Sequence, residues 1–420
     1  MKKIIKKLAG PKNALKLSNC KAVLLTHLYK AHRLIYQHPN TLSRPNGRIF
    51  SHTSNHVFFG YYDISPFSKD ETLLLAVHVS SKKRSLYSNT KAKVGFYNLS
   101  SENSLFQEIG STQTWCWQQG CRLQWYPRKN NKIVLYNTIV EGKYGCVLKD
   151  IFTKEIVKKY NTPIYTMSAD GRIGLSLNFS RLQRLRPGYG YNTILDYTQG
   201  ELMPKNDGVI RLDMKTGEKM LLFSIKDIVN IKTTNTMQGA EHYFNHLLFN
   251  PEGSRFLLVH LWVKEGRRYS RLITADHNGK NIYVMNNEGH SSHYCWRSNT
   301  QILVYCTFVG TGTHYYLCDD MSERKKTIGN RMLNEDGHPS FFPSGNMIIT
   351  DTYPDKFREQ SLIIYDLNNN EIKTLSKFCV PFKFSGETRC DLHPRLSPNG
   401  TYVCVDNVHN NLRSMTVICC

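Results

Sequence analysis

At 420 residues and 48.6 kDa, the chain is long enough for two ordinary domains or one large closed one. Hydrophobic residues at 40% and aromatics at 11%, Tyr the commonest of them, argue against disorder and describe a chain rich in residues that pack on pleated surfaces. The twelve cysteines are scattered with no C-x-x-C pair, which excludes a zinc knuckle and a dense disulfide framework; with no secretion signal they read as reduced thiols of a cytoplasmic protein.

Residues 1–37, "MKKIIKKLAGPKNALKLSNCKAVLLTHLYKAHRLIYQ", have apolar runs too short for a signal peptide or a bilayer span. Met1 to Tyr62 contains no Asp or Glu, and half of the net +22 falls within the first 50 residues. From Cys20 to Tyr36 the period is helical, with Leu24, Leu28, Ala31 and Ile35 on one face. This basic amphipathic segment fits either an anionic membrane surface, at the inner face of the membrane, or a helix docked on the main domain. Nucleic acid is not expected as a partner, because no recognised binding motif occurs and the basic excess lies mainly in this tail.

Beyond the tail, short strand-like runs alternate with turns. Aligned on those turns, "YDISPFSKDETLLLAVHV", "LQWYPRKNNKIVLYNT", "YTMSADGRIGLSLNF", "HLLFNPEGSRFLLVHLW", "HYCWRSNTQILVYCT", "HPSFFPSGNMIITD" and "HPRLSPNGTYVCVDNV" are seven copies of one unit. Most are followed by a third strand and another turn, which gives the four-stranded blade of a β-propeller. The prediction is an all-β, seven-bladed β-propeller over residues 48–420, with an insertion at 181–207 in the third blade. The last blade lacks a fourth strand, and "GRIFSHTS" after the tail is positioned to supply it and close the ring.

Five residues before the aligned turn position stand Tyr61, Arg122, Ile164, His246, His293, His338 and His393. Four consecutive blades thus carry histidine at a position that faces the central channel. Either neighbouring imidazoles converge on a divalent Mn, Fe, Ni or Zn, or each repeat keeps its histidine to hold a loop. The uneven arc favours convergence, since a purely structural role would extend to all seven blades. Glu241 and His242 precede His246, His290 precedes His293, and Arg389 and Asp391 precede His393. Asp391 shares a strand face with His393. In the insertion, Arg181, Arg184 and Arg186 are placed to cover the opening and bind an anion. Asp63, Asp70, Asp351 and Asp406 read as turn or strand residues without chemistry.

The turns "HPSFFPSG" and "HPRLSPNG" resemble those of TolB-like propeller repeats, and the seven-bladed layout is similar to that of the oligogalacturonate lyases. In place of that family's late Gln and paired His stands "RCDLH". The resemblance implies metal ligands at His293, His338 and His393 and a proton-transferring His246. It also implies Arg186 or Arg122 as partner of a uronate carboxylate. His242 joins the candidate catalytic residues, and Tyr61, Arg122, Arg389 and Asp391 the candidate substrate contacts. The implied activity is metal-assisted β-elimination on an acidic, uronate-containing oligosaccharide. The alternative is a non-catalytic propeller that binds a glycan or protein at the cytoplasmic membrane face, in polysaccharide assembly.

Overall fold

The computed structural model describes Leu24, Leu28 and residues 47–81, 90–128, 131–329 and 332–420; the helical segment of residues 1–37 otherwise lies outside the described residues. Seven antiparallel sheets of four strands follow one another along the chain. Their inner strands are Asn55–Phe58, Gln124–Trp125, Thr166–Met167, Glu241–Phe249, Ser291–Trp296, Ser340–Phe341 and Arg395–Leu396. The seventh sheet takes Gly47–Phe50 as its outer strand, in register Gly47 to Ile418 and Phe50 to Met415.

Position in the blade explains the composition of each strand. A second strand is covered on both faces by neighbouring blades, so Arg255–Lys264, "RFLLVHLWVK", is buried almost throughout instead of alternating. A fourth strand lies at the rim, and Glu371–Cys379 is mostly exposed and polar over its first half. Full burial of a Leu or Val in those central strands contributes about 1.5–3 kcal/mol each. The turn between inner and second strands is held by its own side chains: Asp170 accepts from Ser168 Oγ at 2.7 Å and from the Arg172 N–H at 2.9 Å. Asp70 does the same with Ser68 and Thr72, as expected of a turn residue.

Asp63 departs from that expectation. Its carboxylate receives both terminal nitrogens of Arg122, at 3.1 and 2.8 Å, and the pair is almost fully buried. Arg122 also donates from Nε to the Tyr165 carbonyl at 2.8 Å and lies 3.9 Å from the centre of the Tyr165 ring. Blades 1, 2 and 3 are therefore tied at the axis by one guanidinium. Asp63 also lines a cavity of about 570 Å³, together with Trp125, Tyr126 and Pro251.

The insertion begins with helix Phe179–Leu185, capped by the Asn178 side chain, which accepts from the Arg181 N–H. It then folds back across the channel. Gly188 (φ +95°) sits where an added Cβ would lie 3.3 Å from Glu387 Cα, and its carbonyl accepts from the Gln118 N–H. The described cysteines are all free thiols, and no described helix is long and apolar enough to cross a membrane.

Removing one partner of a buried ion pair strands the other charge, which typically costs about 3–5 kcal/mol. Asp63→Ala is expected to lower unfolding stability by that order in urea titration; a loss under about 1 kcal/mol would show that the pair does not tie the blades.

Candidate metal centre

Five of the seven channel-facing residues come together. The Tyr61 ring lies 4.6 Å from that of His246, stacked on it, and 4.8, 5.8 and 6.2 Å from those of His393, His338 and His293. His293 and His338 are 4.1 Å apart, and His338 and His393 4.4 Å. Arg122 reaches this group only through Tyr165, and Ile164 joins an apolar cluster with Leu135 and Leu148.

Local backbone geometry aims the side chains. Arg122, His246 and His393 have φ of +53°, +57° and +46°, a left-handed conformation that non-glycine residues seldom adopt. In blade 4 the strand pairing slips between Asn245 and Leu248, and in blade 5 between Ser291 and Tyr294. Bulges of this kind redirect a side chain out of the strand's alternation, here toward the axis.

Hydrogen bonds then determine which ring nitrogen each imidazole presents. His393 Nδ1 donates to the Gly60 carbonyl at 2.9 Å, and because a carbonyl only accepts, Nδ1 carries the proton and Nε2 the lone pair. His338 Nδ1 donates to the Asp351 carboxylate, at 2.9 and 3.0 Å, with the same result. His293 Nδ1 donates to Asp336 at 3.0 Å, and Ser292 Oγ holds the other oxygen of that carboxylate at 2.6 Å. Burial holds His338 and His393 neutral, their pKa values well below the usual imidazole range.

The Nε2 atoms of His338 and His393 are buried and have no hydrogen-bond partner. A buried polar atom left unpaired costs roughly 1–3 kcal/mol, so two neighbouring lone pairs without donors are the donor set expected of a metal site. Nδ1 bound to a carboxylate or carbonyl, with Nε2 bare, is also the usual outer-shell arrangement of metal-ligating histidines. Ligand atoms of His338, Asp391 and His393 lie within 4.8 Å of one another, which makes Asp391 the natural carboxylate member. Imidazoles with a carboxylate suit Mn, Fe or Zn. These residues fit a divalent metal.

Around the cluster the candidates separate. Arg389 donates from Nε to Asp391 at 2.6 Å and from a terminal nitrogen to Tyr189 Oη at 2.7 Å. Arg186 stacks on Tyr189, 4.0 Å from the ring centre, and has no carboxylate or carbonyl acceptor among the described residues. Arg181 is spent on the carbonyls of His242, Thr198, Glu201 and Leu202, and Arg184 on Asp196 and Glu241. Of the three insertion arginines, Arg186 alone is left for an anion. Arg122, locked to Asp63, is not open to a substrate carboxylate, a correction to the sequence expectation.

His246 Nε2 receives Asn245 Nδ2 at 3.0 Å and the Tyr61 hydroxyl at 3.3 Å, and Nδ1 donates to Tyr165 Oη at 3.2 Å. Its lone pair therefore faces Tyr61, and burial keeps the imidazole neutral.

His242 is also corrected: it lies in a separate chain of bonds inside blade 4. Arg271 Nε donates to His260 Nδ1 at 3.0 Å, His260 Nε2 to His242 Nδ1 at 2.9 Å, and His242 Nε2 to the Met237 carbonyl at 3.1 Å. Each ring is donor on one side and acceptor on the other within blade 4, and neither touches the channel cluster. His290, exposed beside Thr307, is likewise absent from the cluster.

Sequence reasoning missed Asp351, Asp336, Tyr189 and also Tyr353, whose ring lies 5.6 Å from that of His338 and 6.3 Å from that of His293. Asp351 was passed over as an ordinary strand residue, although it follows the His338 turn in the same blade. Gly337 was a usable signal: a Cβ there would lie 2.0 Å from the Asp351 carbonyl oxygen, so glycine permits the approach that brings His338 to this strand.

No protein-family model and no curated protein sequence matches the chain. Among solved structures it is similar to an oligogalacturonate lyase in complex with manganese, with 12% identity over 87% of this chain and 90% of that one, and a TM-score of 0.61. It is similar also to an oligogalacturonate lyase from Vibrio parahaemolyticus, with 13% identity over 87% and 91% and a TM-score of 0.58. TolB from Acinetobacter baumannii overlaps more loosely, with 12% identity over 83% and 80% and a TM-score of 0.39. The chain is thus a seven-bladed propeller of the layout found in the oligogalacturonate lyases.

The His242 chain carries a pH signature. Burial lowers the His242 pKa to about 4, so the folded state resists a proton that the unfolded chain accepts near 6.5. Stability is full above about 6.5 and falls by roughly 3 kcal/mol as the pH drops to 4. Urea midpoints should begin to fall between pH 6.5 and 5.5, above the range of most carboxylates, with the other buried neutral histidines adding to the slope; a flat profile there would contradict a buried, neutral His242.

Proposed function

We propose that the protein is a metal-dependent lyase that cleaves uronate-containing oligosaccharides by β-elimination. His293, His338, His393 and Asp391 would hold its metal. The observation that carries this reading is the set of neighbouring imidazoles anchored through Nδ1, two of them with a buried and unpartnered Nε2. The lyase-like layout of the propeller supports it at the level of fold.

A bound divalent cation supplies Lewis acidity that neutralises a uronate carboxylate and acidifies the adjacent C–H. The chain's own residues do the rest. Arg186, held flat against Tyr189, binds substrate carboxylate with a charge that no acidic side chain has already taken. Arg389 keeps Asp391 oriented and fixes Tyr189 at the same time. His246 is neutral, and its Nε2, which accepts from the Tyr61 hydroxyl and the Asn245 amide, takes the abstracted proton through Tyr61, whose own O–H proton passes to Nε2. The insertion places the Tyr189 ring 6.2 Å from that of Tyr61 and 5.9 Å from that of His246, beside the reacting groups.

Elemental mass spectrometry of the purified protein should find close to one equivalent of Mn, Fe, Ni or Zn, lost in His338→Ala without change in the far-ultraviolet spectrum. The wild type should produce ultraviolet-absorbing unsaturated uronides, and His338→Ala should not. Product formation undiminished in His338→Ala would remove the metal from the mechanism. A metal-free wild type that fails to load would return the histidines to a structural role and the protein to glycan or protein binding. Arg186→Gln should raise KM by about 10- to 100-fold, the worth of a charge-assisted contact, with metal content unchanged; an unaltered KM would remove Arg186 from substrate binding.

A further inference from the structure

Asp351 ends the second strand of blade 6, Met347–Asp351, and its side chain is fully enclosed. Its two oxygens accept N–H donors from two blades. Oδ1 takes the His338 backbone N–H at 2.7 Å and His338 Nδ1 at 2.9 Å. Oδ2 takes the His393 backbone N–H at 3.1 Å and lies 3.0 Å from His338 Nδ1. Asp351 and His393, 42 residues apart in sequence, are thus bonded across two blades. The same group sets the tautomer of one imidazole and the backbone position of the next. At His393 that backbone is in the left-handed conformation, which needs such a restraint.

We infer that Asp351 is the positioning residue of the metal centre: it holds His338 and His393 in ligating geometry, with Nε2 of His338 bare, before any metal arrives. The inference rests on the metal-site reading above and adds to it a residue that does not touch the metal. Only a carboxylate satisfies all three donors. Asparagine has nearly the same size, but either orientation of its amide sets an N–H against a backbone N–H. An amide N–H facing His338 Nδ1 also draws the imidazole proton to Nε2, the atom that must ligate.

The test compares wild type, Asp351→Asn and Ile349→Ala by manganese(II) calorimetry on the full chain. Ile349 is on the same strand and fully buried, so its truncation lowers Tm without reaching the cluster. Asp351→Asn is expected to bind manganese about 10- to 100-fold more weakly, as other losses of an outer-shell partner do. Ile349→Ala should bind within twofold of wild type despite its lower Tm. Wild-type affinity in Asp351→Asn, or equal weakening in both variants, would overturn the inference.

Nitrogen-15 spectra of the histidine side chains in the metal-free wild type decide the matter even if Asp351→Asn does not fold. The signal that disappears in His338→Gln should report a protonated Nδ1 and a bare Nε2, and a protonated Nε2 would overturn the inference. A wild type that takes up no manganese but shows the expected tautomer would instead count against the metal-dependent lyase.

Discussion

A channel at the axis of seven sheets brings backbone and side-chain polar groups together away from water, and each must find a partner there. In this protein the partners come largely from other blades. Tyr62 of blade 1 both donates to the Tyr294 carbonyl and accepts the Tyr294 N–H of blade 5, and Tyr294 in turn donates to the His246 carbonyl of blade 4. Arg122 binds Asp63 of blade 1 and Tyr165 of blade 3, and Asn137 of blade 2 satisfies both backbone groups of Ile164. Other buried side-chain atoms also lack a hydrogen-bond partner, but the Nε2 atoms of His338 and His393 differ in belonging to two imidazoles side by side, 4.4 Å apart between ring centres, where one ion can take both lone pairs.

The same accounting distinguishes the arginines. Arg181, Arg271 and Arg413 are buried and directed mainly at carbonyls, where they tie loops to blades, and Arg395 is matched by Asp406. Each is spent on the fold. Arg186 differs in having no hydrogen-bond acceptor for its guanidinium among the described residues, only the Tyr189 ring beneath it. Positive charge near the mouth is therefore concentrated where an acidic ligand would meet it, and the chain's basic composition by itself would not have located that point.

Much of this was legible in the sequence because a propeller is a repeat, and a repeat turns alignment into geometry. Counting back five residues from each turn located Tyr61, His246, His293, His338 and His393, which the structure gathers. The reading failed where partners come from outside the repeat register. Asp336 and Tyr189 lie in connections of irregular length, and Asp351 looks like any strand terminus until the neighbouring blade is in place. His242 misled for the opposite reason. It is four residues from His246 on one strand, but the bulge between Asn245 and Leu248 separates their environments, and proximity in sequence carried no information about the channel.

The bond from His393 to the Gly60 carbonyl joins residues 333 positions apart, the seventh blade to the first. Contacts of such long range form late, because their loop entropy is repaid only once the intervening chain is in place. An imidazole oriented by that bond has its proper tautomer only in a circle that has already shut. Ion capture would then serve as a checkpoint on assembly: partly built rings, still open between the last blade and the first, would present fewer competent nitrogens and leave the cation in solution.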